Sequence, residues 1–199
     1  MNDTPSAALA DAYRRKAEAL ISADLPVEAL ETLGKALELE LKRAPGSAAE
    51  ICARRGELQE NLGLREDAVA SLNRAATLDP RSASMSRRIA KALGDLREYD
   101  LQAKALERAV VLEPGDLTAR LDLARVRLWR LELPRAIALA RAAAADAPDP
   151  ATEAHARRIL GAACSLAGRR AEARRELDAS LRLAPGDAET WVWSAELRR

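Results

Sequence analysis

Proline recurs in this chain at an interval that no single helix or hairpin explains. Four segments close alike: Ala75-Ala76-Thr77-Leu78-Asp79-Pro80, Ala109-Val110-Val111-Leu112-Glu113-Pro114, Ala143-Ala144-Ala145-Asp146-Ala147-Pro148 and Ser180-Leu181-Arg182-Leu183-Ala184-Pro185. Their prolines lie 34, 34 and 37 residues apart. Each follows a helical Ala/Leu pattern and lacks the N–H that a helix interior needs, so each marks a helix stop. The interval is too long for one ordinary helix and suits two helices with two turns.

Each unit also divides internally. Gly63 breaks the pattern between Leu62 and Ala68, and Gly168 breaks it between Leu166 and Ala171. Leu133-Pro134 and Leu25-Pro26 stand at the same point of two other units. Proline is well tolerated at a first helical position, so these marks predict the start of the second helix of each pair. The junctions carry caps. Ser47-Ala48-Ala49-Glu50 has capping-box spacing after Gly46, Asp116 and Asp187 each follow Pro-Gly, and Asp149 precedes Pro150. Aromatics are 3% of the chain with no Phe, and the apolar content is mostly Ala and Leu with few β-branched residues, which favours helices over sheets.

These residues resemble the tetratricopeptide repeat family, whose unit is about 34 residues in two antiparallel helices with small residues at the crossing. Leu160-Gly161, Cys164, Gly168, Ala173, Leu177, Ser180, Leu183 and Pro185 fall at the family's signature spacings. Gly56, Gly63, Ala68, Leu72, Ala75, Leu78, Asp79 and Pro80 do the same in the second unit. The fourth is carried by Leu123-Ala124, Ala136, Ala140, Ala143 and Pro148, and the first by Ala17, Leu20, Ala29, Leu33, Ala36 and Leu39. The third has Ile89-Ala90, Leu93, Leu106, Ala109 and Pro114, but Gln102 where a small residue is expected. The resemblance implies an all-α, right-handed α-solenoid of about five helix pairs plus a C-terminal helix, with a concave face lined by first helices.

A single array over 1–199 follows, with repeats near 6–45, 46–81, 82–115, 116–149 and 150–186 and a terminal helix at 187–199. Ala36 to Ala75 is 39 residues, which predicts a longer second helix in the first repeat, through Arg43. Ala143 to Ser180 is 37, which predicts an added turn starting near Pro150. Lys16, Arg55, Arg120 and Arg157 replace apolar or aromatic residues of the family pattern, their stems packing while their heads reach water. Ala188 to Trp191 begins a sixth unit in register; its helix either caps the stack or, as Trp191 and Trp193 favour, belongs to a longer protein.

The binding candidates are cationic. Ile89, Leu93 and Leu96 form the buried stripe of their helix, and at about 100° per residue Arg87 and Lys91 point almost opposite it. Arg87, Arg88 and Lys91, with Arg14, Arg54, Arg125 and Arg158 at comparable places, suit an acidic peptide in the groove. The competing reading is a solvated face, because Glu50, Glu57, Glu60 and Asp122 look the same way. Trp129 is either a groove anchor or a cover for the seam between helices. Two family codes fail on this sequence. The carboxylate clamp needs Lys and Asn where Arg14, Glu18, Arg54, Ser84 and Arg88 stand, and only Arg88 fits. An Asn ladder is replaced by Arg15, Arg54, Arg88, Asp122 and Ile159.

Other functions lack support. Lys plus Arg number 32 against 31 Asp plus Glu, without the basic excess of a nucleic-acid binder. No apolar stretch is long enough for a membrane span, and the charged start at 1–21 does not read as a secretory signal, so a cytoplasmic protein is expected. Cys52 and Cys164 fall at core positions and predict buried, unreactive thiols. His155, the only His, predicts a surface residue and no metal site. No cofactor is implied and no catalytic motif occurs, so the chain reads as a non-enzymatic interaction scaffold that binds a protein or peptide. The alternative is a non-catalytic recognition arm of a larger enzyme continuing past Arg199. Self-association through the terminal helices is also open, because solenoid ends leave apolar faces.

Overall fold

In the computed structural model, which describes residues 4–198, helices stop where proline and glycine punctuate the sequence. The expected ends of the array at 1–3 and 199 lie outside the described residues. Eleven helices and no strand occur among those described. The chain forms two compact units, Met1–Ala105 and Leu106–Arg199. The first holds α1 (Thr4–Ser22), α2 (Pro26–Arg43), α3 (Pro45–Asn61), α4 (Arg65–Leu78), α5 (Ala83–Asp95) and the start of α6 (Tyr99–Leu112). The second holds the rest of α6, α7 (Leu117–Trp129), α8 (Leu133–Ala145), α9 (Pro150–Leu166), α10 (Arg170–Leu183) and α11 (Ala188–Arg198). Within each unit the fold is the expected stack of helix pairs, with α1 on α2 and α3 on α4 in one, and α7 on α8 and α9 on α10 in the other.

Two length anomalies have the expected causes. Helix α2 runs through Arg43, and α9 begins at Pro150 with Asp149 accepting the Thr152 N–H at 2.9 Å. Asp116 caps α7 through the Ala119 N–H at 3.1 Å, and Asp187 caps α11 through the Glu189 N–H at 3.2 Å. The capping box at Ser47 does not form. Ala44 is extended (φ −145°, ψ 92°), Pro45 opens α3, and Ser47 lies inside the helix, with the Ala48 N–H donating to the Ala44 carbonyl at 3.0 Å. The residue before a proline is driven out of helical geometry while the proline suits the first turn, so the break falls earlier than Gly46 suggested.

The turn inside each pair is built five times in one way. Asp24, Gly63, Arg97, Leu131 and Gly168 all take left-handed backbone, with φ from 57° to 73°. The following N–H reaches back to close the helix: Leu25 to Leu20, Leu64 to Gln59, Glu98 to Leu93, Glu132 to Arg127 and Arg169 to Cys164, all at 2.8–2.9 Å. These are Schellman ends, and three of them use a side chain where glycine is cheapest.

Close approach of paired helices rests on absent side-chain atoms. A Cβ on Gly56 would lie 2.7 Å from Leu72 Cγ, and one on Gly161 would lie 2.7 Å from Leu177 Cγ. Gln102 fits its small-residue position because Gly94 leaves room for it: a Cβ on Gly94 would collide with the Gln102 amide. The core of the second unit is largely Ala, with Leu121, Leu128, Ile137, Ile159 and Leu160 between the helices.

Candidate functional site

The first helices of the opening unit bring charges together at spacings set by the repeat. Arg54 on α3 grips Glu18 on α1 with two bonds, Nε to Oε1 at 2.9 Å and Nη2 to Oε2 at 2.7 Å. Arg88 on α5 repeats the grip on Glu57 of α3, Nε to Oε1 at 2.5 Å and Nη2 to Oε2 at 3.1 Å, and its Nη1 pairs with Glu50. Both are fork-to-fork pairs, the geometry in which guanidinium and carboxylate bind most specifically. Burial alone would push the Glu57 carboxyl up, but hydrogen bonds and charge from Arg88 and Arg54 outweigh it and hold it below the ordinary range. The hydrogen bond to Glu57 raises Arg88, and that to Glu18 raises Arg54.

These pairs border a cavity of about 650 Å³ lined by Asp11, Arg14, Arg15, Glu18, Leu33, Glu50, Ile51, Arg54 and Arg88. Leu33 and Ile51 are buried apolar residues, and around them stand four arginines and three carboxylates. Arg14 pairs with Asp11 at 3.1 Å. Arg15, Arg87 and Lys91 are exposed. Glu60, beside Lys91, is raised by burial and by the charges of Asp95 and Glu57, with Lys91 opposing.

The second unit uses its expected residues differently. Arg125 pairs with Asp122 of its own helix at 2.6 Å and lies over the Trp129 ring, 5.4 Å from the centroid. Trp129 is 52% exposed. Arg158 reaches Asp187 at 3.1 Å and Glu189 at 2.7 Å, both at the start of α11. His155 is half-buried and not on the surface as expected; its Nε2 is enclosed without a hydrogen-bond partner. Burial, then the charges of Arg158 and Arg125, lower its pKa against the pull of Asp122 and Glu189. On α11, Trp193 and Leu197 pack on the core, whereas Trp191 stays half exposed with its Nε1 donating to the Pro185 carbonyl at 2.9 Å.

Residues 49–82 match the family described as Tetratricopeptide repeat. The fold matches solved structures across nearly the whole chain. YrrB, described as a TPR protein with an unusual peptide-binding site, is 22% identical, with 90% of this chain and 89% of that one covered at a TM-score of 0.73. MamA from Desulfovibrio magneticus RS-1 is 23% identical over 94% and 99%, at 0.69. A tetratricopeptide repeat protein from Parabacteroides merdae ATCC 43184 is 15% identical over 94% and 72%, at 0.77. No curated protein matches the sequence. Residues 49–82 are a tetratricopeptide repeat, and the chain shares the fold of tetratricopeptide repeat proteins.

Two features of this chain left no plain mark in its sequence. The Glu–Arg grips span 36 and 31 residues, each three short of the local repeat spacing of 39 or 34, and that offset was the signal available. Arg127, only 5% exposed, pairs with Glu107 of α6 and with Glu132 in the turn after α7. It stands where Leu93 and Cys164 stand in neighbouring repeats, and an arginine at that place gives no warning of burial. Arg120 and Arg157 extend their heads to carboxylates, Asp146 at 2.6 Å for one and Glu153 and Glu176 at 2.8 and 2.7 Å for the other. Cys52 and Cys164 are buried free thiols, and burial, followed by the charge of Glu172, pushes Cys164 up to about 11. No cluster of metal-ligating side chains, and no helix long and apolar enough to cross a membrane, occurs among the described residues.

Proposed function

We propose that this protein is an interaction scaffold whose first-helix groove, in the unit Met1–Ala105, holds an acidic segment of a protein partner. The observation that carries this reading is the cavity of about 650 Å³ spanning three successive first helices, with an apolar floor under a rim of four arginines and three carboxylates. Leu33 and Ile51 offer contact to apolar side chains, and Arg14 and Arg15 offer donors to carboxylates. Arg54 and Arg88 are held in place by Glu18, Glu57 and Glu50, so a partner carboxylate meets guanidinium groups already positioned. Arg87 and Lys91 extend the rim along α5. Peptide binding by YrrB, a protein of like fold, supports the same class of function.

Rim charges give roughly 0–1 kcal/mol each and act mainly on association rate, so several must converge. Affinity capture from native lysate, comparing wild type with the Arg15→Glu/Arg87→Glu/Lys91→Glu variant, tests the reading. The variant is expected to stay folded and to lose its partner, with the salt sensitivity of capture gone. Equal recovery of the same partners by both proteins overturns it.

A further inference from the structure

We propose, resting on that reading of the first-unit groove, that Glu50 is an internal stand-in for the partner. It holds the outer nitrogen of Arg88, and a partner carboxylate flanking an apolar side chain replaces it there. The donors of Arg88 are divided unequally. Glu57 takes the Nε and Nη2 side in a fork, at 2.5 and 3.1 Å, with a side chain 23% exposed. Glu50 touches only Nη1, with a side chain 58% exposed. A guanidinium is planar and offers carboxylates two bidentate edges, the Nε–Nη2 side and the Nη1–Nη2 end. The Glu57 fork fills the side, so a second carboxylate is received at the end. Glu50 makes one bond there, where an aligned carboxylate makes two.

Arg54 repeats the division one repeat earlier. Glu18 takes its Nε and Nη2, and its Nη1 has only a 3.4 Å contact with Glu57 Oε2, an oxygen already shared with Arg88. On both rungs an inner carboxylate orients the arginine and leaves the Nη1 end less engaged. The three carboxylates of the cavity are therefore not equal. Glu18 is locked in a fork, Asp11 pairs within its own helix, and Glu50 crosses from α3 to α5 by a single bond. Rotation of the Glu50 side chain frees Arg88 Nη1 without disturbing the Glu57 fork. The freed nitrogen borders the same cavity as Ile51, the next residue of α3, and Leu33. Arg14 and Arg15 of α1 line that cavity as well. The ligand that fits is a segment with an apolar side chain between carboxylates, the apolar group on Leu33 and Ile51 and the acids on the arginines. Helices α3 and α5 lie well inside the described chain, so this subsite does not depend on where the sequence begins or ends.

The test uses the full chain and a dye-labelled, amidated peptide Glu-Glu-Leu-Glu-Glu, with Gln-Gln-Leu-Gln-Gln as its uncharged match. Fluorescence anisotropy at low salt is expected to show saturable binding of the acidic peptide and none of the match. Glu50→Ala removes the stand-in, and Glu50→Asp keeps its charge but shortens its reach. Both are expected to tighten the acidic peptide about three- to five-fold, the span of one exposed ion pair. Arg88→Lys, which lacks the planar fork, is expected to weaken the peptide and to cancel the gain from Glu50→Ala. Circular dichroism confirms that the variants remain helical. Unchanged affinity in both Glu50 variants overturns the proposal. So does a gain in Glu50→Ala alone, which makes Glu50 a repelling charge and not an occupant. Either result leaves the groove itself standing as the binding face. No binding of the acidic peptide to any of these proteins at millimolar concentration, or equal binding of the two peptides, overturns both.

Discussion

The two units solve one problem, joining successive first helices, with different balances of polar and apolar contact. In the first unit the join is polar: Glu18 to Arg54 and Glu57 to Arg88 are two rungs of one ladder, each spanning adjacent repeats. In the second unit the same two places hold Asp122 with Arg125, and Ile159 with Ala162. Arg125 therefore turns to its own helix, and the join of α7 to α9 is left to Ile159, Leu160 and the alanines around them. An ionic join returns where Arg158 of α9 meets Asp187 and Glu189 at α11. Ionic rungs at the surface add little net stability, whereas apolar contact between helices is worth more per residue. The ladder therefore earns its place by orienting guanidinium groups along a groove, and the second unit, lacking it, is stabilised by its core.

The largest departure from that rule is the buried ion cluster of the second unit. Removing one partner of a buried pair is costly because the other charge is left uncompensated. Glu107→Gln/Glu132→Gln, which leaves the buried Arg127 guanidinium without its carboxylates, is expected to lower the urea midpoint further than Arg54→Leu in the first unit, whose exposed pair costs under about 1 kcal/mol. If the two variants unfold at the same urea concentration, the contrast between buried and exposed ionic joins fails.

Helix crossing should instead behave alike in both units. Gly56→Val and Gly161→Val each drive a branched side chain into a leucine, Leu72 or Leu177, already 2.7 Å from where a Cβ would be. Each is expected to cost about 2 kcal/mol, and trimming the facing leucine to alanine should recover part of the loss. A large effect at one glycine and none at the other would show that the two crossings are not equivalent.

The turns sharpen the comparison by sign. Leu131 is exposed in left-handed backbone that Gly168 adopts without a Cβ penalty. Leu131→Gly is expected to raise the melting temperature, with a gain of about 1 kcal/mol, and Gly168→Ala to lower it by a similar amount. A destabilised Leu131→Gly protein would mean that the leucine side chain makes contacts worth more than its backbone strain.

Much of this architecture was legible because period and local chemistry coincide. Pro80, Pro114 and Pro148 end helices, Asp116, Asp149 and Asp187 start them, and the 39-residue interval announced the long α2. Ser47 misled because Ser-x-x-Glu is a weak local preference and Pro45 two residues earlier is a strong constraint. The groove was legible as a face but not as a network. Helical periodicity tells which way Arg88 points, yet whether it meets Glu57 depends on how far one repeat is rotated on the next. His155 was not legible for a related reason: its half-buried setting and the charges of Arg125 on α7 and Arg158 on its own helix arise from tertiary packing, of which composition carries no trace.

The smallest expected effect is also the most local. The chain has one histidine, so the stability change between about pH 6 and 7 reports on the second unit. Burial and the charges of Arg158 and Arg125 hold the His155 pKa below its ordinary value, opposed by Asp122 and Glu189. Near and below the ordinary value of about 6.5 the unfolded chain then binds a proton that the folded chain resists. Stability from this residue is therefore complete above that value and falls as pH drops toward the lowered folded pKa. A proton NMR titration should place the imidazole below the free-histidine range, and His155→Gln should flatten the dependence of the unfolding midpoint on pH in this window. Arg158→Gln removes the stronger of the two opposing charges and should move the titration upward, at the cost of its contacts with Asp187 and Glu189. A ring that titrates at or above the ordinary value, or one indifferent to Arg158, would mean that its enclosed Nε2 is reached by water and that the face of α9 is open there.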